Sequence, residues 1–219
     1  TPLPGSQGKL TRNLVGTGLE RALIRAATNG DLAGIEELLR AGANVNCTVD
    51  IGEFGSPLSA AAYKGRLDAV RLLLDRGADP NVVSDAGPLI NAAEAGHVEI
   101  VSLLLDRGAI IDRIVPGNQN ALIRASGKGR LEVVKLLVAR GADVNARAWA
   151  LRPIVIKKIK GGETVRYTVV TTKVSKKDGT RQIVDDPSSK GEWMTPLIIA
   201  KRGGHKEVVA FLIASGAQE

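Results

Sequence analysis

The sequence predicts a mainly α solenoid of stacked helix pairs, interrupted by an inserted β-hairpin or three-stranded β meander. Two observations predict this fold. Five units of the chain carry the same residue types at the same offsets, and one segment of 46 residues departs from that pattern. The length of 219 residues fits one or two domains. An aromatic content of 3% indicates that small and aliphatic side chains build the core.

The repeat is marked by two glycines in each unit. A Gly-Ala pair ends the unit, and another glycine stands twelve residues before it. Leucines stand four and nineteen residues before the pair, and a β-branched aliphatic residue stands seven before it. The glycines of the five pairs are Gly42, Gly77, Gly108, Gly141 and Gly216. Their spacings of 35, 31, 33 and 75 residues place an insertion before the fifth unit.

Each unit is predicted to form a helix, a tight turn, a second helix and a loop, as the second unit illustrates. Ser56 followed by Pro57 suits an N-cap and the first position of a helix. Gly65 is expected to end that helix in a left-handed conformation. Asp68 falls in the first turn of the second helix, where a carboxylate favours the positive end of the dipole. Gly77 ends the second helix.

These units resemble the ankyrin repeat, whose signature is Thr-Pro-Leu-His-x-Ala in units of about 33 residues. The matching stretches are 56–61 (Ser-Pro-Leu-Ser-Ala-Ala) and 195–200 (Thr-Pro-Leu-Ile-Ile-Ala). The resemblance covers residues 18–145 as repeats one to four and 192–219 as repeat five, after a tail at 1–17. It implies a protein-binding module that uses the loops between repeats and the exposed face of the first helices. Stretches 116–123 and 191–197 are also similar to the ankyrin tails of bacterial membrane metallopeptidases.

The histidines and the cysteine, which are residue types that often act in catalysis or bind metals, are explained by their positions in the repeat. His97 and His205 share one repeat position just after the glycine between the helices, where the resemblance implies a histidine that supports the fold. Cys47, the one cysteine, has no histidine near it in the register. Motifs for a metal, a dinucleotide or a catalytic pair are absent from the sequence. We therefore expect neither an enzyme nor a cofactor.

Candidate partner-binding residues follow from the resemblance, position by position. Those expected on the exposed face of the first helices are Arg25, Tyr63, Lys64, Asn91, Glu94, Arg124, Lys128 and Arg202. Phe54 lies at a loop tip, where it either anchors a partner or covers the neighbouring repeat.

The insertion at 146–191 is rich in Ile, Val and Thr, which favours strands at 152–160, 163–175 and 180–184. It carries 11 Lys or Arg against 4 Asp or Glu, a net charge of +7, whereas the rest of the chain carries 19 of each. Lys157, Lys158, Arg166 and Tyr167 are its candidate binding residues. The basic side chains either protect an edge strand from aggregation or meet an anionic partner. Two tryptophans, Trp149 and Trp193, bracket the insertion and are expected at its base.

Three functions compete at this point. The first is a non-catalytic module that binds a protein partner, and an acidic protein is the partner that the basic insertion favours. The second is a regulatory or sensor domain of a larger bacterial membrane-associated protein, which the start at Thr1 motivates. The third is binding of nucleic acid or another anionic surface through the insertion, which scarce aromatic residues disfavour. The sequence is compatible with a monomer and with a dimer paired through the hairpin. It contains no apolar run long enough to span a membrane as a helix. A cytoplasmic location is slightly favoured.

Overall fold

The structure is a computed structural model. It describes residues 18–49, 55–82, 86–114, 119–150 and 192–218, together with four short segments at 154–155, 165–166, 172–174 and 181–183. Ten helices lie in these ranges, and they confirm the mainly α prediction. In chain order they are α1 (Gly18–Asn29), α2 (Leu32–Arg40), α3 (Pro57–Tyr63), α4 (Leu67–Asp75), α5 (Pro88–Ala95), α6 (Val98–Asp106), α7 (Ala121–Gly127), α8 (Leu131–Ala139), α9 (Pro196–Arg202) and α10 (Lys206–Ala214).

Three of the first helices, α3, α7 and α9, begin at a residue whose side chain caps them. The Ser56 hydroxyl accepts a hydrogen bond from the Ser59 N–H at 3.2 Å, and Pro57 follows as the first helical residue. Thr195 caps α9 in the same way, through the N–H of Ile198 at 3.2 Å. These bonds satisfy donors that the first turn of a helix leaves without partners.

The helices form two layers, because each pair stacks on the next. The first helices α1, α3, α5, α7 and α9 pack in sequence in one layer, and the second helices α2, α4, α6, α8 and α10 pack in sequence in the other. One leucine of each first helix is buried between the layers; these are Leu23, Leu58, Leu89, Leu122 and Leu197. Paired alanines such as Ala61 and Ala62 are fully buried and allow close helix approach. Small side chains thus replace aromatic ones in this core, as the composition predicts.

The glycine between two helices of a pair is required for two reasons. Gly65 has a φ of +71°, a conformation that other residues adopt with strain. A Cβ placed on Gly65 would also lie 2.6 Å from the ring of His97 in the next pair. Gly65 therefore serves both the turn and the stacking of one pair on another.

Three antiparallel strand pairs lie between the fourth and fifth helix pairs. β1 (Ala148–Ala150) pairs with β6 (Glu192–Met194), β2 (Ile154–Val155) with β3 (Val165–Arg166), and β4 (Thr172–Val174) with β5 (Arg181–Ile183). The register places Trp149 opposite Trp193. The sequence did not lead us to expect the β1–β6 pair. Most of 151–191 lies outside the described residues, so the hairpin or meander stays a prediction.

Candidate interaction surface

Each first helix is tied to the next helix pair through one backbone carbonyl. The acceptor lies two residues before the glycine of the turn, and the donor is the Arg or His that follows the corresponding glycine of the next pair. The bonds run from Arg66 Nε to the Thr28 carbonyl (3.2 Å), His97 Nε2 to Tyr63 (3.0 Å), Arg130 Nε to Glu94 (3.1 Å) and His205 Nε2 to Gly127 (3.0 Å). His97 and His205 therefore join neighbouring pairs, in keeping with the structural role expected for them.

An asparagine in the loop after each of three helix pairs makes a second connection. Asn81 donates from Nδ2 to the Gly108 carbonyl at 2.9 Å and accepts from the Ile110 N–H at 2.9 Å. Asn46 and Asn145 bond in the same two ways to their next pairs. The side chains of these asparagines therefore reach the turn of the next helix pair and not the turn of their own loop. The residue two positions earlier holds the turn, as Asp79 does by accepting from the N–H of Asn81 at 2.8 Å.

Asp112 takes the asparagine position in the third loop. Its two carboxylate oxygens accept from the Asp143 N–H at 3.4 and 3.2 Å, and one also accepts from Asn120 Nδ2 at 3.3 Å. Burial raises the pKa of Asp112 above its ordinary value of 3.8, and the nearby Asp143 carboxylate raises it further, while the Asp143 N–H lowers it. An ionised carboxylate cannot donate to a carbonyl, so the third loop lacks one bond that Asn81 makes.

Ion pairs join the second helices on the opposite layer. Arg107 Nη1 lies 2.8 Å from Asp75 Oδ1, and Arg140 Nη1 lies 2.8 Å from Asp106 Oδ1. Arg76 pairs with Glu36 of the first unit, which lies four positions earlier in the repeat than Asp75 and Asp106 do. All six side chains are substantially exposed, so each pair contributes little to stability.

Most of the predicted surface residues on the first helices are accessible. Arg25, Lys64, Lys128 and Arg202 are exposed, and Tyr63, Glu94 and Arg124 are half-buried. The ammonium group of Lys64 lies 5.6 Å from the centre of the Tyr63 ring. Asn91 corrects the prediction, since it is buried in α5, between α3 and α7. It occupies the same repeat position as the buried Ala60.

Glu94 brings two of these basic residues together. Its Oε2 lies 3.3 Å from Arg124 Nη1, and its Oε1 lies 3.2 Å from Lys128 Nζ. The Glu94 side chain is 18% exposed, against 37% for Arg124 and 51% for Lys128. The carboxylate is thus the most enclosed member of the cluster, and the two cations face outward. The sequence register could have revealed this cluster, since α5 and α7 are adjacent, but the direction of the side chains could not be predicted.

The side chains of the remaining candidates lie outside the part of the chain that the structure describes. Phe54, Lys157, Lys158 and Tyr167 lie outside the described residues. Arg166 lies in β3, where only its backbone is described. Their assignment to a binding surface stays a prediction.

The buried thiol of Cys47 is poorly suited to nucleophilic chemistry. Burial and the charge of Glu20 raise the pKa of Cys47 from 9.0 to about 11, although a backbone hydrogen bond lowers it. At neutral pH the thiolate is therefore a very small fraction. Among the described residues, no group of three or more His, Cys, Asp or Glu side chains could hold a metal ion. No helix in those residues is long and apolar enough to cross a membrane.

Comparison with known families matches the chain over most of its helices. Models of ankyrin repeats match residues 58–105 and 83–148, and a model of the single ankyrin repeat matches 192–218. The chain belongs to the ankyrin repeat family. The matched ranges hold the second to fifth helix pairs, and the first pair lies before them.

Three curated relatives share parts of these ankyrin repeats. The chain is 37% identical over 81 residues to the 2-5A-dependent ribonuclease of Mus musculus, covering 37% of the chain and 10% of the relative. It is 39% identical over 77 residues to ankyrin repeat, SAM and basic leucine zipper domain-containing protein 1 of Ornithorhynchus anatinus, covering 35% and 16%. It is 44% identical over 64 residues to the putative E3 ubiquitin-protein ligase XBAT34 of Arabidopsis thaliana, covering 29% and 17%. The matches thus span less than a fifth of the length of these relatives.

Proposed function

We propose that this chain is a non-catalytic module that binds a partner protein through the exposed face of its first helices. The observation that carries the proposal is the separation of roles within each repeat. The bonds from Arg66, His97, Arg130 and His205 hold the frame through backbone carbonyls, and they do not depend on the acceptor side chain. The identity of the side chain at an acceptor position, such as Tyr63 or Glu94, is therefore not fixed by these four bonds.

Membership in the ankyrin family supports this proposal, because ankyrin repeats are generally protein–protein interaction modules. Five stacked helix pairs present a broad surface on which a partner protein can lie. The loop tips and the basic insertion extend the same proposal. Lys157, Lys158, Arg166 and Tyr167 would add contacts to a partner that reaches past the fourth pair.

A second candidate function is that of a regulatory or sensor domain within a larger protein. The supporting observation is that the matches span between 10% and 17% of the length of the three relatives. Two of these relatives carry an enzyme in their names. The full reading frame at the gene locus tests this candidate, since a frame that begins near Thr1 and ends near Glu219 would contradict it.

Affinity capture with defined variants tests the binding proposal. Immobilised chain would be compared with a version that carries Tyr63→Ala and Arg25→Ala on the first-helix face, and with a version lacking residues 146–191. A matched control carries Arg71→Ala and Leu72→Met in α4 of the opposite layer, where Arg71 is exposed. Circular dichroism would establish that every version is folded.

The expected result is a protein that the intact chain and the control retain and that the first-helix variant loses. Retention by all folded versions would contradict a role for the first-helix face. Loss only on deletion of 146–191 would move the binding surface to the insertion. Capture of background proteins alone by every version would contradict the binding module itself.

A further inference from the structure

The charge of the helical frame is divided between its elements, although its sum is zero. The first helices and their capping residues carry seven basic residues and two acidic ones, a net charge of +5. The second helices and their caps carry nine of each sign. The balancing negative charge belongs to the segments that connect the helix pairs. A neutral frame therefore presents a positive helix layer beside acidic loops.

The seven basic residues lie in or cap four of the five first helices, which are α1, α3, α7 and α9. They are Arg21, Arg25, Lys64, Arg124, Lys128, Lys201 and Arg202. The two acidic residues are Glu20 at one end and Glu94 in the middle. Since each helix is about 10 Å from the next, this layer extends for about 40 Å. An extended peptide of about twelve residues spans that distance.

The cluster at the centre of the layer holds its cations in an outward position. Glu94 lies beneath Arg124 and Lys128, and one carboxylate shared by two cations leaves a net charge of +1 there. The Nε atom of Arg124 is buried and has no hydrogen-bond partner among the described residues. The inner part of the guanidinium is thus enclosed, while the side chain remains 37% exposed and can receive a second carboxylate.

We propose that the first-helix layer binds an extended acidic segment of a partner protein, with its carboxylates received by Arg124 and Lys128. This proposal rests on the proposed function and names the chemistry of the partner. Glu94 acts as an internal counter-ion that holds both cations in place and weakens the attraction for the incoming acid. The positive layer favours the encounter through its field as well as through direct contacts.

Charge distribution favours an acidic peptide over a nucleic acid. A long polyanion that crosses the layer meets acidic loops at its margin, which include Asp79, Asp112 and Asp143. A short peptide lying along the layer avoids them. Tyr63 is the single aromatic residue of the first helices and their caps, so stacking platforms for bases are scarce.

Fluorescence anisotropy tests this inference on the full chain. The probe is a fluorescein-labelled peptide of about twelve residues that alternates Glu with Gly, and its comparison alternates Gln with Gly. We expect the Glu peptide to bind more tightly than the Gln peptide, and added salt to remove the difference. Arg124→Gln with Lys128→Gln should weaken binding of the Glu peptide about three- to tenfold. Glu94→Gln should strengthen that binding about twofold or more, because it removes the competing carboxylate.

Two double variants have the same change in net charge as the Arg124 and Lys128 variant. The control is Arg71→Gln with Lys135→Gln, which removes two exposed cations from the second helices and should not change binding by more than about twofold. Lys157→Gln with Lys158→Gln removes two cations from the insertion and tests that segment as an alternative binding site. Lys128→Gln alone serves as the second test variant should the double variant unfold, since Lys128 is half exposed.

Several results would overturn the inference. Equal binding of the Glu and Gln peptides would show that the carboxylates are not recognised, and tighter binding of an oligodeoxythymidine than of the Glu peptide would favour a nucleic acid. An equal loss in the Arg71 and Lys135 control, or a loss confined to the Lys157 and Lys158 variant, would place binding elsewhere. Weaker binding by Glu94→Gln would contradict the competing role of that carboxylate. If the peptide experiment gives one of these results while the affinity capture still retains a partner, only the inference of an acidic partner segment is rejected. Failure of both experiments removes the proposed function as well.

Discussion

Asp112 stands where the first, second and fourth loops have an asparagine, and its replacement by asparagine should stabilise the protein. Asn81 shows what the change restores. Its Nδ2 donates to the Gly108 carbonyl at 2.9 Å while its Oδ1 accepts from the Ile110 N–H at 2.9 Å. Asp112 makes only the accepting half, with the Asp143 N–H. By analogy with Asn81, we expect the new amide of Asp112→Asn to donate to the Gly141 carbonyl.

The magnitude follows from one hydrogen bond and one charge. A hydrogen bond that replaces a missing one contributes about 1 kcal/mol to the free energy of unfolding. Removing a carboxylate that is partly buried beside Asp143 adds to this, so we expect about 1–2 kcal/mol in total at neutral pH. For a domain of this size that corresponds to a rise in Tm of about 2–8 °C.

The pH dependence has a definite sign. The raised pKa of Asp112 means that the folded protein binds this proton more tightly than the unfolded chain does. Ionisation therefore costs stability at neutral pH, and that cost disappears as the pH falls through the raised pKa to below 3.8. A protonated Asp112 can also donate to a carbonyl, as an amide does. The advantage of Asp112→Asn should thus be largest near neutral pH and should shrink in acid.

Urea denaturation followed by circular dichroism measures the effect at about pH 7 and about pH 4. The matched control is Asn81→Asp, which places the same carboxylate in the second loop. It should lower the free energy of unfolding by about 1–2 kcal/mol at neutral pH, because the Gly108 carbonyl loses its donor. If Asp112→Asn were neutral or destabilising at both pH values, a bond from residue 112 to the Gly141 carbonyl would be refuted as a source of stability. It would also be refuted if Asn81→Asp had no effect.

Three other predictions concern backbone geometry, thiol chemistry and surface charge. Gly65→Ala should lower the Tm more than Gly204→Ala does in thermal melts. Both glycines have a φ near +70°, but only at Gly65 would a new Cβ lie 2.6 Å from the His97 ring. Equal losses would contradict the role of this close approach. Cys47, with a pKa of about 11, should react with a disulfide reagent at neutral pH only at the rate of unfolding, and fast labelling of the folded protein would contradict its burial. Arg140→Gln should lower stability by less than about 1 kcal/mol, with a smaller effect at high salt; a loss of several kcal/mol would mean that the pair matters more than its exposure indicates.

The helix pairs could be predicted because their signals are local. Ser56 and Thr195 mark helix starts, and glycines such as Gly65 mark the turns, so each unit contains its own evidence. Stacking could be inferred from repetition alone. The bonds that hold one pair on the next could not, because the Arg or His donor and its carbonyl lie more than thirty residues apart. Nothing in the residue type reveals which carbonyl it reaches.

The insertion and the surface were harder to predict for different reasons. The β1–β6 pair joins two segments of three residues that lie more than forty residues apart, too short for an alternating pattern to stand out. Asn91 was placed on the surface from its position in the first helix and is polar, but the neighbouring helices bury it. Polarity alone is a weak guide where helices are stacked on two sides.

The net charge of +7 is a sum over the chain and does not show where the positive and negative residues lie. The sequence assigns the excess to the insertion and leaves the helical frame neutral. Once the helix bounds are known, that neutral frame separates into a positive first-helix layer, a balanced second-helix layer and acidic connections. The stacking bonds use backbone carbonyls of the first helices, so the frame places few demands on the side chains beside them. If the first-helix layer binds an acidic segment as proposed, its excess positive charge has a function in recognition, and the Glu94, Arg124 and Lys128 variants test this most directly.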